Sequence, residues 1–164
     1  YNDSRGLFIN PIDPMCMGQI TYNLYELIDA IAKCDKVVKY IDVPLQHANQ
    51  EVLESMHRPQ MDYRAFVKKL RAKIPNLALR TTFIVGYPGE TEEQFEELYN
   101  FVKDMKFDRM GAFEFSPEEN TIAYSMDNQI LDDVKAQRKE RLMELQSQIS
   151  LDINKSLIAK LKSA

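Results

Sequence analysis

The stretch that most constrains the fold covers residues 77–95 and reads LALRTTFIVGYPGETEEQF. Its first nine residues are almost all apolar or β-branched, which is typical of a parallel strand covered on both faces. A Gly-Tyr-Pro-Gly turn follows, and then Thr91 and Gln94 have the spacing of a capping box at a helix start. A strand joined to a helix by a tight turn is the repeating unit of parallel α/β folds.

The same alternation of strand and helix patterns extends along most of the chain. Short β-rich runs predict further strands over residues 7–10, 37–43 and 110–115. Apolar residues at helical spacing predict helices between the strands. These helices are predicted to begin at Asn23, at Asn49, near Asp62, after Thr91 and near Asp132. The last helical pattern continues to about Leu161.

This alternation predicts an α/β fold with right-handed crossovers between parallel strands. Three or four strands are too few to close a barrel, so we expect a parallel-sheet partial (β/α) barrel followed by one long C-terminal helix. We expect residues 1–21 to be an N-terminal segment with one strand plus an insertion, residues 22–127 to be the partial barrel, and residues 128–164 to be the long helix. That helix would lead toward a further domain that this chain lacks.

Composition argues against several classes of function. The net charge of −4 comes without a basic patch, so no strong nucleic-acid signal is present. No segment approaches the roughly 20 apolar residues of a membrane span, and a membrane is not an expected partner. Cys16 and Cys34 match no zinc, redox or iron–sulfur spacing, and neither His47 nor His57 has partners spaced for a metal. We therefore expect no metal ligands in this chain.

Candidate functional residues lie where the predicted strands end, because parallel α/β folds bind ligands at the carboxyl ends of their strands. Three such ends are PLQH at 44–47, GYPGET at 86–91 and SPEEN at 116–120. Gly86 and Gly89 permit positive φ and close approach of the backbone to a ligand. The alternative is an ordinary tight turn before a well-capped helix.

The charged candidates at and near these strand ends also have alternative interpretations. His47 is either a hydrogen-bonding group of the site or a structural histidine. Glu118 and Glu119 are either an acid/base pair or solvated carboxylates of a polar loop. Arg58 and Arg80 can each hold a carboxylate in a bidentate pair, and Arg80, at the opposite rim, is expected to make a structural one.

Four segments read in order carry a more specific signal. They are KVVKYIDVPLQHANQEVLESMHR, RTTFIVGYPGETEEQFEEL, FDRMGAFEFSPEENTIAY and RLMELQSQISLDIN. Together they resemble the radical-SAM methylthiotransferases over roughly residues 24–158. PLQH, RTTFIVG and RMGAFEFSPEEN favour the branch that modifies a ribosomal protein over the branch that modifies an adenosine of tRNA.

The resemblance implies the second half of a radical-SAM TIM-like barrel that binds S-adenosylmethionine at its strand ends. In the family, one 4Fe–4S cluster cleaves this cofactor to a 5′-deoxyadenosyl radical, which abstracts hydrogen from the β-carbon of an aspartate. A second 4Fe–4S cluster supplies sulfur, and a TRAM domain contacts the substrate. The implied partner is a small-subunit ribosomal protein, the implied enzyme class is transferase, and the implied location is the cytoplasm.

The resemblance also implies roles for particular residues. The residues that would bind the cofactor are Gln46, His47, Ile84, Gly86, Gly89 and Glu90. Ser116 and Glu118 would face the substrate. No residue of this chain is assigned as catalytic.

The chain departs from the family in ways that affect its activity. The Cys-x-x-x-Cys-x-x-Cys cluster motif is absent, as are the sulfur-donor and TRAM domains, and Asn120 stands where the family has glycine. We therefore expect a fragment of a longer enzyme that is inactive by itself. The alternatives are a fragment of the tRNA-modifying relative, or a non-catalytic half-barrel that acts as a binding or scaffold module.

Overall fold

The computed structural model of the chain describes residues 7–8, 26–58 and 61–163. Within them, four strands form one parallel sheet in the order β1-β2-β3-β4. The strands are β1 (Leu7–Phe8), β2 (Tyr40–Asp42), β3 (Ala78–Val85) and β4 (Arg109–Glu114). The prediction of an α/β fold with an open, all-parallel sheet is therefore confirmed.

Helices connect the strands as the sequence pattern predicts. They are α1 (26–33), α2 (Gln50–Ser55), α3 (Tyr63–Lys73), α4 (Glu92–Met105) and α5 (Asp132–Lys162), with a 3₁₀ turn at Ala123–Ser125. The predicted start of the first helix at Asn23 lies outside the described residues. No helix among the described residues is long and apolar enough to cross a lipid bilayer.

Side-chain caps explain where three of these helices begin. The Asn49 side chain accepts hydrogen bonds from two backbone N–H groups of α2, and Asp62 accepts one from Ala65 in α3. Thr91 and Gln94 form the complete capping box at the start of α4, each bonding the backbone N–H of the other. The caps satisfy N–H groups that have no partner within the helix, and so they fix the helix starts.

The main hydrophobic core lies on one face of β3. Alternate residues of the strand, from Leu79 to Val85, are buried, whereas the residues between them are only half-buried. Phe83 is fully buried and meets the rings of Phe101 and Phe107 edge-on. The expectation that both faces of this strand are covered was wrong, because within the described residues the sheet is open on its second face.

The second strand is shorter than predicted. Val37 and Val38 belong to the predicted strand at 37–43, but they are exposed and lie before β2 begins. Pairing with β3 starts at Tyr40, opposite Ala78. Within the described ranges, the β-branched residues at 37 and 38 have no partner strand, and local propensity alone does not make a strand.

Helix α5 packs against β4 and α4 through its first half and then extends beyond the sheet. Its length is about 46 Å at 1.5 Å per residue. Leu142 and Ile149 are buried against the domain, whereas Leu157, Ile158 and Leu161 are exposed. Val134 and Leu145, which were also expected on the apolar side, are half-buried.

We expect truncation of Phe83 to destabilise the chain strongly. Phe83→Ala should lower the free energy of unfolding by about 3–5 kcal/mol, because it removes the ring that Phe101 and Phe107 contact and leaves a cavity. Phe113→Ala, on the neighbouring strand, is the matched control, since Phe113 is 58% exposed. Urea unfolding of both variants measures the difference, and equal losses would contradict this account of the core.

Candidate functional site

The carboxyl ends of β2 and β3 are joined by backbone hydrogen bonds beyond the regular strands. Gln46 donates its N–H to the carbonyl of Thr82 at 2.9 Å, and its carbonyl accepts from Ile84 at 2.8 Å. Gln46 adopts a φ of 71° to make this bridge. On the other side of β3, Phe115 donates its N–H to the carbonyl of Val85 at 2.8 Å. The first two predicted strand ends and the residue before the third therefore meet at one rim.

The turn after β3 requires its first glycine for two reasons. Gly86 has a φ of 74°, in the region that L side chains rarely adopt. A Cβ atom added to Gly86 would lie 2.3 Å from Cγ of Lys135, in the first turns of α5. Gly89 also has positive φ, but a Cβ there would meet nothing within 4 Å. Helix α5 thus packs directly on the backbone of the turn.

Glu90 holds this turn together from inside. It is 2% exposed, and its Oε2 accepts hydrogen bonds from the N–H groups of Gly86 at 2.8 Å and Tyr87 at 3.4 Å. Its Oε1 accepts from Nη1 of Arg138 in α5 at 2.9 Å. Burial raises the pKa of Glu90, while the Arg138 guanidinium and the two backbone N–H groups oppose that rise. The carboxylate thus connects the turn to α5.

His47 lies fully buried beneath the rim, next to Glu90. Its Nδ1 accepts a hydrogen bond from the backbone N–H of Asn49 at 3.0 Å, so a neutral imidazole carries its proton on Nε2. Nε2 has no hydrogen-bond partner and lies 3.7 Å from Oε2 of Glu90. Burial, assisted by the charge of Arg138, lowers the pKa of His47 to about 3. The imidazole is therefore neutral near pH 7.

A cavity of about 200 Å³ opens at the same rim, above the end of β3. It is lined by Gln46, Met56, Arg58, Ile84, Tyr87 and Phe115. Tyr87 and Phe115 meet edge to face, with ring centroids 5.1 Å apart, and the Tyr87 hydroxyl donates to the carbonyl of Ser55 at 2.9 Å. These contacts fix the aromatic wall in place. We name this space the strand-end cavity.

The predicted site residues divide into three groups in the structure. Gln46 and Ile84 line the strand-end cavity. His47, Gly86 and Glu90 are buried below the rim, and Gly89 is exposed at the turn. Ser116 and Glu118 lie exposed in the loop after β4 and do not line this cavity. The binding roles assigned to all eight residues stay predictions.

Sequence reasoning missed several residues of this rim. Tyr87 and Phe115 form the aromatic wall of the strand-end cavity, and their positions at two strand ends were a signal that could have identified them. Lys135 and Arg138 reach the rim from α5. Their separation of about fifty residues from the turn left no local signal. Arg80 pairs with Asp42 at 2.7 Å in the middle of the sheet, the structural role expected for it.

The described residues do not fit an iron–sulfur cluster. No three His, Cys, Asp or Glu side chains in these ranges are arranged to hold a metal ion, and Cys34 is an exposed free thiol. Cys16 lies outside the described residues. The whole chain has two cysteines, one fewer than the family's three-cysteine motif requires. The strand-end cavity combines aromatic walls with a few polar groups, a lining that is typical of sites for organic ligands.

A parallel sheet with helices between its strands and a cavity at the strand ends is the arrangement found in half of a (β/α) barrel. The sequence model of the Radical SAM superfamily matches residues 6–102, more than half of the chain. The chain belongs to this superfamily, whose members use S-adenosylmethionine with an iron–sulfur cluster.

Curated relatives resemble the chain closely over most of its length. "Ribosomal protein uS12 methylthiotransferase RimO" of Flavobacterium johnsoniae is 48% identical over 135 residues, or 81% of this chain and 31% of that protein. The protein of the same name from Caldanaerobacter subterraneus subsp. tengcongensis is 50% identical over 135 residues, with the same coverage. The one from Clostridium botulinum is 46% identical over 147 residues, or 88% of the chain and 32% of that protein. The chain thus spans about a third of these relatives, and the predicted resemblance to methylthiotransferases is confirmed.

A solved structure supports the fold. Coproporphyrinogen III oxidase (HemN) from Escherichia coli, described as a Radical SAM enzyme, matches 85% of this chain and 30% of its own, with a TM-score of 0.51. The sequence identity is 16%, so this likeness concerns the fold alone. It agrees with the partial barrel that the strand order shows.

We expect His47 to make stability depend on pH. The unfolded chain protonates this histidine below its ordinary pKa of 6.5, whereas the folded protein does so only near pH 3. The free energy of unfolding should therefore fall as the pH drops below 6.5, by up to about 1.4 kcal/mol per pH unit from this group. His47→Asn keeps an acceptor near the position of Nδ1 and should flatten the slope, measured by urea unfolding between about pH 6 and pH 4.

The matched control for this prediction is His57→Asn. His57 is exposed and has a φ of 54°, a conformation that asparagine tolerates well. This variant should keep the slope of the unmodified chain. An unchanged slope in His47→Asn would show that His47 does not cause the pH dependence.

The two glycines of the turn should differ in their tolerance of a methyl group. Gly86→Ala and Gly89→Ala should each cost about 1–2 kcal/mol because both backbones are left-handed. Gly86→Ala should cost more, since its Cβ meets Lys135. Combining it with Lys135→Ala should reduce the excess, as measured in a double-mutant cycle by urea unfolding. Equal losses for the two glycines would contradict the close packing of α5 on the turn.

Proposed function

We propose that the chain is part of a radical-SAM methylthiotransferase that modifies an aspartate of ribosomal protein uS12 at its β-carbon. The observation that carries this proposal is near-50% identity, over about four fifths of the chain, to relatives named for that activity. The parent enzyme is a transferase. Because its target belongs to the bacterial ribosome, we place its action in the cytoplasm.

S-adenosylmethionine is the proposed ligand of the strand-end cavity. Ile84 and the aromatic pair of Tyr87 and Phe115 offer apolar surface suited to an adenine ring. The Gln46 side chain supplies an amide that donates and accepts hydrogen bonds. Gly86 lets the chain turn directly after Ile84 and Val85, and its backbone packs against Lys135 of α5.

The size of the strand-end cavity indicates that it would form only part of the binding site for this ligand. Its volume of about 200 Å³ lies below the 300–1,000 Å³ that is usual for pockets enclosing a whole small ligand. The open face of the sheet leaves the other side of the ligand uncovered within the described residues. The rest of the enclosure would come from the part of the barrel that precedes these strands.

The iron–sulfur clusters of the proposed enzyme would be held elsewhere. The cluster at the cofactor, when bound, supplies the electron that begins radical chemistry, and this chain has too few cysteines to hold it. Residues of this chain instead contribute the shape of the rim. Glu90 and Arg138 keep the turn at the end of β3 in position, and His47 is buried beside them.

The loop after β4 is the proposed approach for the substrate protein. Ser116 and Glu118 are exposed there, beyond the aromatic wall of the strand-end cavity. An exposed polar loop next to the cavity gives a macromolecular substrate access that a buried residue would not. Residues 22–127 as the core segment and 128–164 as the helix that leads away from it stay part of this proposal.

The test is to disrupt the gene in the source organism and to measure intact uS12 by mass spectrometry. We expect the methylthio group of uS12 to be replaced by hydrogen, so that the mass of uS12 falls by the difference between the two, because the proposed parent enzyme installs this group. Restoring the gene should restore the modification. Nucleosides from total tRNA of the same cells are the internal control and should keep their methylthioadenosines.

Other results would decide between the alternatives. Loss of the methylthioadenosines with uS12 unchanged would assign the chain to the tRNA branch. No change in either macromolecule would favour a non-catalytic binding or scaffold module and would overturn the proposed activity.

A further inference from the structure

Three large apolar side chains are exposed on the loop that joins β4 to α5, residues 115–131. Ile122 is 72% exposed, Tyr124 50% and Leu131 74%. Three such residues within ten positions leave apolar area that a binding partner can cover. We name them the apolar loop residues.

Hydrogen bonds hold this loop in one conformation. The N–H of Gly89 donates to the carbonyl of Asn128 at 2.8 Å, which ties the loop to the turn after β3. Within the loop, the side-chain amide of Gln129 donates to the carbonyls of Ala123 at 2.8 Å and Met126 at 3.0 Å. The loop is thus ordered before any partner arrives, and less conformational entropy is lost when a partner binds.

Leu131 occupies a position where stability alone favours a polar residue. It is the N-cap of α5, and its side chain makes no capping hydrogen bond. The N-caps of α2, α3 and α4 are Asn49, Asp62 and Thr91, whose side chains do make such bonds. An exposed leucine at this position contributes neither a cap nor packing to the domain. A residue that breaks a local rule in this way points to a role in binding.

The charge around the apolar loop residues has one sign. Residues 110–134 contain no lysine or arginine. Exposed carboxylates follow β4 and lead into α5: Glu118, Glu119, Asp127, Asp132 and Asp133. Among the described residues, only Asp132 of these five has a cationic partner, Lys135. The loop therefore suits a partner that is positively charged and carries apolar side chains.

The second exposed apolar region of the chain has the opposite charge. Leu157, Ile158 and Leu161 are exposed on the last turns of α5, but Lys155, Lys160 and Lys162 lie among them. The two regions are alike in exposed apolar side chains and differ in the sign of their charge. The acidic one is next to the proposed site, since the loop begins at Phe115, which lines the strand-end cavity.

We propose that Ile122, Tyr124 and Leu131, together with the carboxylates around them, are the docking surface for the ribosomal substrate protein. The inference rests on the proposed function, under which uS12 must come to this rim. A ribosomal protein contacts RNA, and proteins neutralise RNA phosphates with lysine and arginine. Such a protein has the positive charge that this loop lacks. Docking on the loop would hold it beside the strand-end cavity.

The first experiment titrates purified uS12 of the same organism into the chain by calorimetry. The double variant Ile122→Ala, Tyr124→Ala should bind about tenfold or more weakly, because it removes two apolar contacts from the centre of the surface. The matched control is Leu157→Ala, Ile158→Ala, whose side chains are 50% and 53% exposed, and it should bind as the unmodified chain does. Equal affinities for the two double variants would overturn the proposal.

Leu131→Ser separates binding from folding. Serine is a favourable N-cap, so the urea midpoint of this variant should stay the same or rise. Its affinity for uS12 should nevertheless fall, because the exposed leucine is lost. A gain in stability with unchanged affinity would exclude Leu131 from the docking surface.

The charge of the surface is tested by salt. Binding of uS12 should weaken as the salt concentration rises, because exposed charges are screened. Glu118→Gln should weaken binding at low salt and reduce the salt dependence. Glu144→Gln, which removes an exposed carboxylate of α5 outside the loop, should change neither. Equal effects of the two variants would show that the loop carboxylates do not recognise the partner.

Other occupants of the surface give other results. A dimer of the free chain that dissociates in Ile122→Ala, Tyr124→Ala, as measured by sedimentation equilibrium, would assign the surface to a second copy and overturn the proposal. Full modification of uS12 in cells whose disrupted gene is replaced by that double variant would show that the parent enzyme does not use the surface for its substrate.

The failures of the two proposals are distinguishable. If gene disruption removes the modification but the double variant binds uS12 normally, the proposed activity stands and the docking surface is overturned. If uS12 binds through the apolar loop residues but disruption leaves its mass unchanged, the docking surface stands and the activity fails. Absence of any uS12 binding to the chain overturns the docking surface, and the mass of uS12 still decides the activity.

Discussion

The rim of this domain depends on one buried interaction, the contact of Glu90 with the turn that precedes it and with Arg138 of α5. The carboxylate accepts N–H groups of Gly86 and Tyr87 on one side and the guanidinium of Arg138 on the other. Removing either partner would leave a buried charge unpaired, which is strongly unfavourable. The position of α5 and the conformation of the turn are therefore coupled, although about fifty residues separate them in sequence.

The coupling between α5 and the turn also holds the end of β3 in position. Because α5 packs on the backbone of Gly86, the end of β3 is held between a helix on one side and the strand-end cavity on the other. The aromatic pair of Tyr87 and Phe115 connects the ends of β3 and β4 in the same region. The rim is thus fixed by contacts inside the protein before any ligand binds, and preorganisation of this kind lowers the cost of binding.

Within the described residues, the sheet is open on one face, so its two faces have different surroundings. The half-buried side of β3 carries Ile84 toward the strand-end cavity, and the fully buried side carries Phe83 into the core. One strand therefore contributes to the core with one face and lines the strand-end cavity with the other, because side chains alternate along a strand.

The sequence by itself determined the elements and their order. Local signals, which act within a few residues, include the helix caps at Asn49, Asp62 and Thr91 and the apolar run at 77–85. The predicted strand ends also put Gln46 and Ile84 at the rim where the structure has them. Tertiary structure decided the rest: the burial of His47 and Glu90, the shortening of β2, and the approach of Lys135 and Arg138 to the turn. These features arise from contacts between segments far apart in the chain, and no local pattern encodes which distant side chain will fill a given space or neutralise a given charge.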